Sequence, residues 1–112
     1  MPEVVVVGSF TAREGKEAEA REAFEALLGP THAEPGCTLY ALHQGADDPR
    51  RFAFIERWAS REELDAHLRS PHVGRLLTRV EELFGDSADI VVYEPVPGGE
   101  PRKGDLAVHA GG

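Results

Sequence analysis

FAFIERWASREELDAHLRSPH, residues 52–72, reads as a strand, a capped turn and a helix in direct succession. Phe52, Phe54, Glu56 and Trp58 alternate along the strand, so they share one face. Ser60 and Glu63 have the spacing of a capping box, in which each side chain takes up a backbone N–H at the helix start. Arg61 to Arg69 then forms a short helix. Ser70-Pro71 ends it and supplies a cap and a first-turn proline for the next. The stretch holds the only tryptophan and two of the five histidines, and chemistry is expected near it.

Outward from this stretch, the elements follow in alternation. Upstream, Cys37 to Gln44 is a strand with Cys37, Leu39, Ala41 and His43 on one face and Thr38, Tyr40, Leu42 and Gln44 on the other. The acidic, turn-rich segment 45–51 joins it to the strand at Phe52 as a hairpin. Lys16 to Leu28 carries an apolar helical face, and Gly29-Pro30 is expected to end or kink that helix, with Thr31 to Glu34 open to a further turn. Val4 to Phe10, with four consecutive valines, reads as a strand covered on both faces. Downstream, Pro71 to Phe84 is helical, Gly85 is its C-cap, and Ser87 to Tyr93 is a last strand closed by Pro95. Residues 1–95 thus form one domain. The Pro- and Gly-rich tail 96–112 contains an alternating segment, Asp105 to Ala110, expected to dock on this subunit or on a partner.

The order β-α-β-β-α-β is the ferredoxin-like, split β-α-β pattern: an α+β fold with a four-stranded antiparallel sheet and helices on one face. Two helices cover one face only, yet the central strands are apolar on both. An apolar face left in water needs a reason. The expected reason is a second copy packed sheet to sheet, a homodimer.

Composition bounds the function. Twelve Lys and Arg against twenty Asp and Glu give a formal charge of -8, the wrong sign for nucleic acid or an anionic membrane surface. The one cysteine, Cys37, permits no internal disulfide. Val4 to Val7 is too short for a signal peptide, and no segment approaches a membrane span. The expected location is cytoplasmic.

Three pieces carry a family likeness: Glu34-Pro35-Gly36-Cys37 followed by Tyr40; Phe52 to Trp58 with Glu56; and Leu64 to His72 with His67 and Ser70-Pro71-His72. With them, residues 3–95 resemble the antibiotic biosynthesis monooxygenase family of dimeric α/β barrels, including the small quinol monooxygenase-like proteins. The resemblance implies oxygenation of a quinol or polycyclic phenol to a quinone. It implies no metal or organic cofactor, with dioxygen as co-substrate and a small aromatic substrate that itself reduces oxygen once deprotonated. Related barrels degrade haem with an Asn, Trp and His set; Gly8, His67 and Leu77 stand at those places, which argues against haem degradation here.

The candidate catalytic residues are His67, His72 and Glu56. His67 is the first choice for a general base because an imidazole titrates near neutrality. His72, at a helix start, is held neutral by the helix dipole. Glu56, a carboxylate among aromatics, is costly unless paired, and is expected either to orient a histidine or to pair with an arginine. Trp58, Tyr40, Phe54 and Ser9 are candidate substrate-binding residues, with a core role the stronger expectation for Trp58. The histidines lack zinc-motif spacing, so no metal site is expected. Cys37 reads as a buried, inert thiol. Two rival functions remain: an isomerase of small keto compounds, which would want an arginine-lined polar pocket, and a non-enzymatic binding or stress module, which would have no cavity beside His67.

Overall fold

The computed structural model describes residues 2–107. Its elements run β1 (Val4–Thr11), α1 (Glu17–His32), β2 (Cys37–Gln44), β3 (Arg51–Trp58), α2 (Arg61–Leu68), α3 (Pro71–Leu77), α4 (Val80–Phe84), β4 (Asp89–Tyr93) and α5 (Pro101–Gly104). The strands pair antiparallel in the order β2-β3-β1-β4. This is the ferredoxin-like α+β arrangement that the element order implies.

Strand alternation sorts the side chains into layers. Phe52, Phe54, Glu56 and Trp58 of β3 are all buried, with Val4, Val6 and Phe10 of β1 and Tyr40 of β2 beside them. The helices cover this face because their apolar positions recur at helical spacing. Ala20, Phe24 and Leu27 of α1, Leu64 of α2, and Leu83 and Phe84 of α4 complete the core. Phe24 is its centre. Its ring stacks on Phe84 at 4.9 Å and meets Phe54 edge-on at 4.8 Å and Phe10 at 5.0 Å.

The opposite face carries Val5, Val7 and Ser9 of β1, each half-buried, with Ala53 and Ile55 of β3 and the exposed Val91 and Tyr93 of β4. Within one chain β1 is therefore fully covered on one side only, not on both. Arg57 is the exception on this open face, at 3% exposure. Its guanidinium pairs with Glu3 and, at 3.2 Å, with Asp105. A buried cation requires such partners. The tail thus docks on its own subunit through Asp105, preceded by the short α5. The rest of the alternating segment, residues 108–110, lies outside the described residues.

The further turn after Pro30 forms, and three local expectations change. Helix α1 continues two residues past Pro30, and the Ala33 N–H closes it on the Gly29 carbonyl at 3.2 Å. A proline so near the end interrupts only the last turn. The helix expected over Pro71–Phe84 divides into α3 and α4. There the Arg79 N–H turns to the Leu76 carbonyl at 2.8 Å, and the Thr78 hydroxyl donates to the Arg75 carbonyl. Such local bonds compete with helix propagation. In β2 a bulge between Cys37 and Leu39 puts Cys37 opposite Trp58, on the core face rather than the face of Leu39. Only half of the expected capping box forms: the Glu63 N–H donates to Ser60 Oγ at 3.3 Å, while the Glu63 side chain lies against Gly36.

Phe24→Ala removes the ring on which four other phenylalanines pack. Denaturant unfolding is expected to show a loss of about 3–5 kcal/mol.

Candidate active site

Two serine caps and one glycine build the site. Ser60, extended at φ −160°, starts α2 directly after β3. Helical spacing then puts Leu64 and His67 on the same inward side, and both are buried. Ser70 starts α3: its Oγ accepts from the Val73 N–H and donates to the His67 carbonyl at 2.6 Å. The α1–β2 connection is drawn to the same place. The Ala59 N–H donates to the Gly36 carbonyl at 2.9 Å, and a Cβ on Gly36 would lie 2.4 Å from Glu63 Cβ. Only glycine permits that approach.

This contact delivers Glu34 between two imidazoles. Glu34 Oε2 lies 2.7 Å from His67 Nδ1 and 2.9 Å from His72 Nε2. A carboxylate only accepts, so each of those nitrogens carries a proton. Ser70 Oγ is 3.1 Å from His72 Nε2 and spends its own proton on the His67 carbonyl, so it too is an acceptor there. His67 is thereby assigned as the Nδ1–H tautomer, with its lone pair on Nε2. The His67 ring lies 4.5 Å from that of Trp58 and 5.4 Å from that of Tyr40, centroid to centroid.

His67 also forms part of the wall of a cavity of about 240 Å³ between the sheet and α2–α4. Val6, Gly8, Phe54 and Glu56 line its sheet side; Leu64, Val73, Leu76 and Leu77 line its helix side. Among the described residues its polar lining consists of Tyr40, Glu56 and His67. Leu68, Leu77 and Ile90 are each about half exposed at its edge, giving an apolar mouth.

Burial sets the acidities. It pushes Glu56 up to about 7, partly offset by the Trp58 Nε1–H, which donates to Glu56 Oε1 at 2.9 Å, and reinforced by the charge of Glu34. Burial lowers His67, against the opposing pull of the Glu34 hydrogen bond and charge. The Tyr40 hydroxyl is raised, by burial first and then by Glu56. The Cys37 thiol is pushed up to about 11 by burial and by Glu34, which makes it unreactive.

The sequence-predicted residues thus divide. His67, Glu56, Tyr40 and Phe54 meet at the cavity. Trp58, fully buried, lies outside the lining and supports it by holding Glu56 and flanking His67. His72 also lies outside the lining and reaches His67 through Glu34. Ser9 is displaced: strand alternation puts it on the open face of the sheet, away from the cavity that its neighbours Gly8 and Phe10 line. Among the described residues Glu56 neither orients a histidine nor pairs with an arginine; its partner is Trp58. The histidines are oriented by Glu34, which sequence reasoning saw only as part of a motif. His32 Nε2 lies 2.9 Å from the Tyr40 carbonyl. His109 lies outside the described residues. Gly8, His67 and Leu77, aligned with the haem-degrading set, all lie in the cavity wall.

The model of the antibiotic biosynthesis monooxygenase family matches residues 3–79. The chain belongs to that family. It is 40% identical over 93 residues to the putative monooxygenase Rv0793 of Mycobacterium tuberculosis, covering 83% of this chain and 91% of that protein. The structure of Rv0793 superposes with a TM-score of 0.80 at 32% identity, covering 88% of this chain and 99% of that one. PA3566 from Pseudomonas aeruginosa gives 0.81 at 27% identity, covering 86% and 96%. Among the described residues no helix of this family member is long and apolar enough to cross a membrane.

The raised pKa of Glu56 has a stability consequence. The folded state holds that proton more tightly than the unfolded chain. The contribution is full below about 4.5, the ordinary carboxyl value, and is lost as pH rises through about 7. Glu56→Gln keeps an acceptor for Trp58 without the ionisation. Denaturation at two pH values is expected to show a larger stability gain over wild type at pH 8 than at pH 4.5.

Proposed function

We propose that this protein is a cofactor-independent monooxygenase that oxidises a compact phenol or quinol to a quinone. The carrying observation is the cavity lining: apolar and aromatic, free of arginine and lysine, with the polar groups Tyr40, Glu56 and His67. A volume near 240 Å³ is below the roughly 300–1,000 Å³ of drug-sized sites, which favours few fused rings over a large polycycle. The same lining weighs against a keto isomerase, for which arginines were expected, and a cavity beside His67 weighs against a purely structural module.

The chemistry balances without a separate reductant. A phenol loses its O–H hydrogen and one ring C–H hydrogen, one oxygen atom of O₂ becomes the new carbonyl, and the other leaves as water; a quinol, oxygenated at a ring carbon by the same balance, ends as a hydroxyquinone. The substrate supplies all four electrons. His67 Nε2 takes the phenolic proton, and the Glu34 carboxylate stabilises the imidazolium that results. Glu56, half-protonated near neutrality, donates toward the oxygen that departs as water. His72 holds Glu34 in place from its other side. The active species is a homodimer in which the open sheet faces meet, burying Val5, Val7 and Ile55. A lone cysteine with an unreactive thiol fits the reducing cytoplasm.

Oxygen-electrode assays over a panel of hydroquinones, naphthols and anthrones are expected to show uptake with at least one. His67→Asn should lower kcat by about 10²–10⁴. The wild-type pH profile should be a bell. It rises as His67 loses its proton below its ordinary value of 6.5 and falls as Glu56 ionises around 7. No uptake across the panel, or full activity in His67→Asn, overturns the assignment. Sedimentation should give twice the chain mass for wild type, and a lighter species for Val7→Asp on the open face.

A further inference from the structure

Glu34, His67 and His72 come from three separate elements, and one donor atom of each lies within 4.8 Å of the others. Two imidazole nitrogens address a single carboxylate oxygen. His67 alone of the three lines the cavity; Glu34 and His72 stand outside the lining, bonded on its Nδ1 side, and their side chains are 18% and 10% exposed. Two histidines and one glutamate are a ligand set that zinc accepts, with a fourth position left for water. Bond lengths near 2.0–2.2 Å put tetrahedral donors roughly 3.4 Å apart. The nitrogen–oxygen distances here are 2.7 and 2.9 Å and all three donor atoms lie within 4.8 Å of one another, so Glu34 must part from each imidazole by roughly 0.5–0.7 Å while the two nitrogens settle at the same spacing. Ser60 and Ser70 fix the starts of the helices that carry the histidines, and Gly36 fixes the loop of Glu34, so the set is preorganised.

We propose that Glu34, His67 and His72 bind one divalent late-transition-metal ion, zinc being the best match, and that occupancy switches His67 off as a base. The second half follows from the tautomer. An ion on Nδ1 displaces the hydrogen that now bonds Glu34, and a neutral imidazole must then carry its proton on Nε2. The lone pair on Nε2 is lost, with no net proton released from His67. The switch rests on the reading of His67 as the base; the binding does not.

Calorimetric titration of the chelator-treated, full-length protein with zinc chloride should give one ion per chain. His72→Ala and Glu34→Gln should each weaken binding by more than the 10- to 100-fold, roughly, that losing an outer-shell partner costs. His43→Ala, at an exposed histidine outside the cluster, should leave it intact. Nitrogen-15 spectra of the histidine rings should show the proton of His67 moving from Nδ1 to Nε2 on zinc addition. No zinc uptake by wild type, or equal affinity in the two ligand variants, overturns the site. Should those variants fail to fold, X-ray absorption on the wild-type zinc protein decides, since a first shell without imidazole also overturns it. Zinc uptake without the tautomer change overturns the switch alone. Zinc uptake with the tautomer change, in a protein that consumes no oxygen with any substrate, keeps the site and removes the reading of His67 as an oxygenase base.

Discussion

The close approach of Gly36 to Glu63, locked by the Ala59-to-Gly36 hydrogen bond, is the constraint on which the candidate site depends. It ties the α1–β2 loop to the β3–α2 turn, two places far apart in sequence. Glu34, two residues before Gly36, falls between His67 and His72 as a result. Without that contact the two histidines would still lie near one another through the Ser70 cap, but neither ring would have a fixed tautomer. A side chain absent at one position thus determines the direction of an imidazole lone pair on another element.

Two carboxyl groups flank the candidate site, and their surroundings treat them oppositely. Glu34 is partly exposed and accepts from two imidazole N–H groups. Glu56 is buried among aromatics with one donor, Trp58, and its affinity for a proton rises to that of an ordinary imidazole. Burial thus pushes the two groups in opposite directions, the imidazole toward its free base and the carboxyl toward its protonated form. Pairs of titratable groups whose environments displace them in this way identify the acid and the base.

The fold was legible because periodicity is strong where burial is one-sided. The alternation of Phe52, Phe54, Glu56 and Trp58 and the paired serine caps define the layer and its turn with no knowledge of the rest of the chain. The misread places lie where local bonds override periodicity. The Thr78 hydroxyl and the Arg79 N–H interrupt what a pattern of leucines and valines describes as one helix, and a bulge at Thr38 reverses the face of Cys37. The site was half legible. His67, Glu56, Tyr40 and Phe54 lie on faces that spacing defines, and they meet. Ser9 was misplaced because proximity in sequence to Gly8 and Phe10 counts against sharing a strand face. Glu34 was overlooked because its role arises from a contact between loops, which no periodicity encodes; its position two residues before an obligatory glycine was the available signal.

The buried guanidinium of Arg57 has a meaning for where the folding unit ends. Glu3 precedes the first strand and Asp105 follows the last strand by a dozen residues, yet both carboxylates neutralise the same cation. Composition draws the boundary near residue 95; electrostatics draws it at Asp105 or beyond. A polypeptide cut at the compositional boundary keeps every strand and α1–α4 but leaves the guanidinium with one carboxylate in place of two, on the sheet face that a second copy is proposed to cover. Glu3 and Asp105 act there as one clasp, which ties the segment leading to Asp105 to the sheet.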